Sequence, residues 1–314
     1  MRAIAVAPVV FGCCPGTPRC VLCAPAPALP SPDTVAALLA ATRRDRADPV
    51  TVGLFGGPPP SDDLLDAIGD APFTVRVRPD LLEPKRARAL ADRGCVGIEV
   101  DALSFDDQAL KACRRPYRAP RVLRMLDALA ALPLRLGLVL APGLPHASST
   151  SAIRDAHIAA PLVRAVRIHP VLVFRGSQLH DNHAAGLFEP MTLNEAVATC
   201  RAMVDVFDAA GVEVVRIGVQ SLSDGLGEAV AGPRHPSLRE LVEAHRALDH
   251  LTTHIRDDHR GRSVVVFCAP CDETRARGPL NCNVRDLRAR HGLTDLRIVP
   301  DPDLTRGLFR VEVA

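Results

Sequence analysis

Cys14, Cys20 and Cys23 lie close together in the stretch FGCCPGTPRCVLCAP, which follows the first apolar run of the chain. Three thiols crowded into one loop suggest metal-ligand chemistry. Counting Cys13, four cysteines could hold a tetrahedral zinc ion, although adjacent cysteines chelate a single ion poorly. Three could hold an iron–sulfur cluster, which usually takes four thiolates, and would leave one iron open to another ligand. An open iron separates a catalyst from a store of electrons. The glycine pair Gly56-Gly57, after the next apolar run, is where backbone could come close to whatever occupies that position.

The elements that must place these residues alternate regularly. Apolar runs at 4–11, 50–55, 73–77, 96–100, 134–140 and 166–170 read as strands. Amphipathic stretches at 33–42, 62–68, 85–93, 106–113, 121–132 and 151–159 read as helices. Continuous apolar strands alternating with helices indicate a parallel sheet buried on both faces. Six such units predict an α/β fold, a partial (β/α)6 barrel of TIM type with a small C-terminal α/β extension. In such barrels the active site gathers at the C-terminal ends of the strands. The cysteine loop follows strand one, Gly56-Gly57 strand two, Arg78 strand three, and Pro142-Gly143-Leu144-Pro145 strand five. All fall on one face.

A longer helix at 194–210 and a strand at 213–219 follow. The Gly- and Pro-punctuated segment AVAGPRHPSLRELVEAHR then marks a domain boundary, giving a core domain over 1–235 and a second domain over 236–314. The apolar fraction of 47% supports a large core, and with nine Phe, one Tyr and no Trp, Ala, Val and Leu must do most of the packing. A net charge of +2 decides nothing about nucleic acid, because a basic patch can be local. The first apolar run is short for a signal peptide and no segment reaches a membrane-spanning length, so the expected compartment is cytoplasmic and no membrane partner is expected. There the ten cysteines are expected to be reduced.

The ordered set CPGTPRCVLC, GLFGG, RVRPD, GIEVDALSFDDQALKACRR, LVLAPGLP, VRIHPVLVFRGSQL, VVRIGVQSL and VAGPRHPSLRELVEA resembles the radical S-adenosylmethionine (SAM) superfamily. The likeness is to short bacterial proteins similar to the radical SAM core of the Elongator catalytic subunit, and it runs from about residue 4 to the C-terminus. The resemblance implies a 4Fe-4S cluster on Cys14, Cys20 and Cys23, with Leu22 as the apolar residue before the last ligand. It also implies SAM at the open iron, Gly56 and Gly57 beside its methionine moiety, and Arg78 of the Arg-Pro-Asp motif available to pair with a carboxylate. A flavodoxin- or ferredoxin-type electron donor is the implied partner. Elongator-type enzymes modify wobble uridine in tRNA and carry an acetyltransferase domain, which these 314 residues are not expected to include. The expected substrate is therefore a small molecule or RNA, with DNA not expected. The alternative is a degenerate, non-catalytic RNA-binding protein that keeps a cluster.

The chain departs from the family pattern at several positions. Five residues separate the first two ligands, Pro58-Pro59-Pro60 follows the glycine pair, and Asp101-Ala102-Leu103-Ser104 stands where the pattern is Gly-Val-Gln-Ser. His169 replaces a tyrosine. Arg175, Gly176 and Ser177 are candidates for the substrate end. Cys268, Cys271 and Cys282 form C-x2-C-x10-C, read either as an auxiliary cluster or as small buried side chains. Cys95, Cys113 and Cys200 fit core positions, and His146, His157, His180, His183 and His235 show no metal spacing. The loop Gly278-Pro279-Leu280-Asn281 before a basic helix resembles the core of a KH module, whose G-x-x-G loop clamps nucleic-acid backbone, with Asn281 in place of the second glycine.

Overall fold

The computed structural model describes residues 5–10, 20–23, 31–44, 50–218 and 227–314. The chain divides into two compact units, Met1–Pro236 and Ser237–Ala314.

In the first unit, strands β1 (Ala5–Val10), β2 (Val50–Phe55), β3 (Phe73–Val77), β4 (Cys95–Leu103), β5 (Arg135–Leu140) and β6 (Ala165–Ile168) are joined by β8 (Glu213–Ile217). The short β7 (Val173–Phe174) leaves this sheet and pairs antiparallel with β9 (Ala229–Ala231). The sheet order is sequential, β1 through β6 and then β8, and every neighbouring pair is parallel. This is the expected partial TIM-type barrel, widened by β8 on the open side. Parallel strands need crossover connections, and helices α1 (Pro32–Arg44), α2 (Asp62–Ile68), α3 (Pro84–Asp92), α4 (Asp107–Ala112), α5 (Ala119–Ala130), α6 (Ser149–Ala159), α7 (Gln178–Ala184) and α8 (Leu193–Ala209) supply them.

Local signals account for where these helices begin. Ser61 caps α2 by accepting from the Leu64 N–H, and Asp62 and Asp63 sit in its positively polarised first turn. Capping boxes start α6 at Ser148 and α8 at Thr192, where Glu195 reaches back to the Thr192 N–H. Proline occupies the first turn of α3 and α5, where no backbone donor is lost.

The strands carry two unlike faces. In β3, Phe73, Val75 and Val77 are buried at 1%, 1% and 0% exposure, while Thr74 and Arg76 between them are half-buried. β4 extends past the expected 96–100 to Leu103. A bulge lets it continue: Val100 pairs with Leu138 and Leu103 with Leu140, so β4 carries one residue more than its partner. Asp101 and Leu103 therefore lie inside the strand rather than after it.

The second unit opens with α9 (Leu238–His254). β10 (Ser263–Cys268), α10 (Glu273–Arg277), α11 (Cys282–His291), β11 (Asp295–Pro300) and β12 (Phe309–Val313) follow. β10 is central, parallel to β11 and antiparallel to β12. Leu251, Val264, Val266, Leu287 and Ile298 belong to its own core. At the 278–281 loop Leu280 and Asn281 both take positive φ, 51° and 58°, and Leu280 is 89% exposed.

Phe73→Ala removes one of the largest fully buried side chains and should cost about 3–5 kcal/mol in urea unfolding of the full chain. Leu280→Ala, at an exposed tip, should stay within about 0.5 kcal/mol. Equal costs for the two would contradict this assignment of the core.

Candidate functional site

Cys20 is buried, Cys23 is half-buried, and their Sγ atoms converge to 3.1 Å. Val21, next to Cys20, is itself 3% exposed. Its N–H donates to the Cys113 carbonyl at the end of α4, and its carbonyl accepts from the Leu179 N–H at the start of α7. Cys113 lies in the connection that follows β4 and Leu179 in the one that follows β7, so the cysteine pair is tied to both connections. Cys14 lies outside the described residues. Two thiols aimed at one point are a donor set suited to a thiophilic metal group, and the residues present fit the cluster that the resemblance implies as far as they are described.

Gly56 and Gly57 continue from the end of β2 and are stitched to β3. The Gly56 N–H donates to the Arg76 carbonyl, and the Arg78 N–H donates to the Gly57 carbonyl at 3.0 Å. Arg78 is 7% exposed, and its guanidinium forks onto Asp80, Nε to Oδ1 at 3.0 Å and a terminal nitrogen to Oδ2 at 2.7 Å. The Arg-Pro-Asp motif thus closes on itself in a bidentate pair. What Arg78 does directly for the glycine pair is hold its backbone.

The end of β4 is strained. Leu103 adopts φ 65°, and the Ser104 N–H donates to the Ala102 carbonyl, closing a three-residue turn around it. A positive φ is costly for a non-glycine residue and tends to mark functional rims. Asp101 is 8% exposed, with Arg115 at 3.7 Å, and the Tyr117 hydroxyl donates to the Asp101 carbonyl. Ser104 donates in turn to the buried Asp155 of α6, which also accepts from the Phe105 N–H. Burial pushes the Asp155 carboxyl up, against the pull of those hydrogen bonds. The two positions that depart from the family pattern are built into this rim. Arg175, expected at the substrate end, pairs with Glu228 across the β7–β9 ribbon, and Ser177 caps α7.

A charged layer on the half-buried face of the sheet was not read from the sequence. Arg167 Nε donates to both Glu99 oxygens at 2.8 Å, Arg76 Nε lies 3.4 Å from the same carboxylate, and both guanidiniums stand over the Phe55 ring. Gly137 stands between Glu99 and Ala165 in the register, and a Cβ there would meet Glu99 Cγ at 3.0 Å. The missing side chain leaves room for the stem of Glu99, whose carboxylate reaches Arg167 on β6. His169, at the end of β6, has a buried Nε2 with no hydrogen-bond partner. Burial, then the charges of Arg76, Arg167 and Arg216, hold its imidazole well below the usual range. The available signal was a single charged residue inside each of the apolar runs TVRV, GIEV, AVRI and VVRI, where strands buried on both faces should be apolar.

Cys95, Cys113, Cys200 and Cys268 are buried packing groups. Burial pushes Cys95 to about 11, Cys113 to about 12 and Cys200 to about 12. Cys268, fully buried, is pushed to about 11, Cys271 is exposed, and Cys282 lies against Gly278 and Asn283. Among the described residues no group of three or more His, Cys, Asp or Glu side chains is arranged to hold a metal ion, so C-x2-C-x10-C is not gathered into an auxiliary cluster site.

Residues 163–249 match the family model described as Radical_SAM C-terminal domain. The tRNA uridine(34) acetyltransferase of Methanocaldococcus infernus is 24% identical over 127 residues, covering 39% of this chain and 24% of the relative. Among solved structures, the archaeal Methanocaldococcus infernus Elp3 with an N-terminus deletion superposes with a TM-score of 0.62 at 18% identity, covering 79% of this chain and 64% of that one. Methylornithine synthase superposes with a TM-score of 0.50 at 11% identity, covering 69% and 72%. Residues 163–249 are thus similar to a radical SAM C-terminal domain, and the likeness to these solved structures is one of fold. The chain spans less than two thirds of the Methanocaldococcus infernus proteins it resembles. No helix among the described residues is long and apolar enough to cross a membrane.

Thiol reactivity follows thiolate content. At pH 8, groups with pKa about 11 or 12 carry at most about a thousandth of their thiolate form. Timed alkylation of the metal-free chain, read by mass spectrometry, should modify Cys271 and Cys23 in minutes. Cys95, Cys113, Cys200 and Cys268 should resist until urea is added. Early labelling of Cys113 or Cys200 would contradict their assignment to the core.

Proposed function

We propose that the chain is a radical SAM enzyme. In this reading Cys14, Cys20 and Cys23 hold a 4Fe-4S cluster, Gly56, Gly57 and Arg78 border the SAM site, and the substrate is an unidentified small molecule or RNA. The observation that supports it most directly is the convergence of the Cys20 and Cys23 sulfurs on a loop fixed through Val21. When bound, the cluster and SAM supply reductive cleavage of the sulfonium C–S bond and a 5′-deoxyadenosyl radical that abstracts hydrogen from substrate.

The chain's own share is positioning and exclusion of water. Cys20, at 3% exposure, presents its sulfur from a dry wall. Gly56 and Gly57 offer backbone with no side chain in the way. Arg78 anchors them through its N–H to the Gly57 carbonyl, while Asp80 fixes the guanidinium. A flavodoxin- or ferredoxin-type protein is the proposed electron donor. RNA remains a candidate substrate because the curated relative is named for tRNA, and a small molecule because the chain covers a minor part of that relative.

A second reading, a cluster-bearing protein without SAM chemistry, is favoured by one observation. Asp101 and Leu103 are absorbed into a structural rim where the family pattern has Gly and Gln.

Anaerobic reconstitution of the wild-type chain should yield about four irons per chain and, after dithionite reduction with SAM, 5′-deoxyadenosine. The Cys14→Ala, Cys20→Ala, Cys23→Ala variant should lose both. A full cluster with no deoxyadenosine defeats the enzyme reading and leaves the second. A colourless zinc protein defeats both.

A further inference from the structure

His250 and His254 stand four residues apart in the stretch HLTTH, so both fall on one face of α9 in its last turns. Both are exposed, their ring centroids are 4.5 Å apart, and the ring planes meet at 77°. The His250 ring also meets Phe309 of β12 edge-on, with centroids 5.3 Å apart. His254 is fastened from within the helix, its Nδ1 lying 2.8 Å from the His250 carbonyl oxygen. A carbonyl oxygen can only accept. Nδ1 therefore carries the proton, and the neutral ring keeps its lone pair on Nε2. Burial, then the charge of His254, holds the His250 imidazole below its usual range, so that ring also offers a lone pair near neutral pH.

As a packing contact the pair achieves little, because exposed rings remove little apolar surface from water. Metal geometry accounts for it better. Imidazole nitrogens bond a divalent ion at about 2.0–2.1 Å, and two such rings at an angle of about 90–100° have centroids about 4.5–4.9 Å apart. The observed 4.5 Å falls at the right-angle end, which suits tetragonal ions rather than tetrahedral ones. A ligating histidine usually donates its other ring N–H to a carbonyl or carboxylate, as His254 does. The C-terminal end of a 17-residue helix adds a partial negative charge that favours a cation.

We propose that His250 and His254 form a two-imidazole site for a borderline divalent transition-metal ion of the nickel(II) or copper(II) type. Water fills the remaining coordination positions. The site is built from residues of the second unit alone. It depends neither on the cysteine loop nor on the catalytic reading above.

The test is calorimetric titration of nickel(II) chloride into the full-length chain carrying Cys14→Ala, Cys20→Ala and Cys23→Ala. Cys271 is alkylated beforehand, so that exposed thiols do not compete. One saturable site should appear. Two donors on one helix act as a linked pair, so His250→Ala and His254→Ala should each weaken it about tenfold or more. His157→Ala removes an exposed imidazole from α6 and should change nothing. Thermal unfolding without metal checks that each variant is folded. A second measurement needs no substitution. In the wild-type chain, nickel(II) should protect His250 and His254, but not His157, from acylation by diethyl pyrocarbonate, read by mass spectrometry.

Absence of a saturable site, or equal weakening by His157→Ala, would overturn the proposal. So would unchanged affinity in either His250→Ala or His254→Ala, which would reduce the pair to a single surface imidazole. Acylation of both rings at an unchanged rate in the presence of nickel(II) would overturn it as well.

Discussion

Seven parallel strands in sequential order expose every strand end of one kind along one rim, and that constraint organises everything else in the first unit. Each crossover helix must return the chain to the same starting edge. The loops leaving the other edge are thereby collected side by side, however far apart they lie in sequence. Apolar residues on the fully buried face consolidate the arrangement, with Phe73, Val75 and Val77 as its clearest run. The opposite face is freed from packing duty and can carry charge. The Arg76–Glu99–Arg167 layer is affordable only because the other face supplies the burial.

Much of this was legible from residues alone. The alternation of apolar runs and amphipathic stretches identified the parallel barrel, because continuous apolar runs and a period near four leave different marks in sequence. The caps at Ser61, Ser148 and Thr192 are local chemistry and leave equally local marks. What could not be read was pairing across distance. That Arg78 turns back onto Asp80 depends on rotamers, not on spacing. That Gly137 is the residue facing Glu99 across the β4–β5 pairing is something only the register decides. The extension of β4 to Leu103 required a bulge, and nothing in the composition of DALS announces one.

The candidate site was legible to a different degree at each residue. The cysteine spacing pointed to metal chemistry, and the Cys20 and Cys23 sulfurs lie 3.1 Å apart. Cys14 lies outside the described residues. The glycine pair falls where strand two ends, but its backbone is partly committed to β3. Asp101 and Leu103 looked like simple replacements of family residues. In the fold they belong to a network with Arg115, Tyr117, Ser104 and Asp155, so exchanging one alone would disturb the others.

Val21 has a consequence for the order of events as the protein forms. Its two backbone hydrogen bonds join a segment near the N-terminus to Cys113 and to Leu179, far downstream in the chain. Contacts of such large sequence separation form late, because the intervening chain must be ordered before they become favourable. A cysteine loop seated through Val21 has no fixed seat until the barrel has closed beyond β6. Maturation of this protein is thereby ordered in time: the scaffold comes first, and the thiols reach their final positions only on a nearly finished barrel.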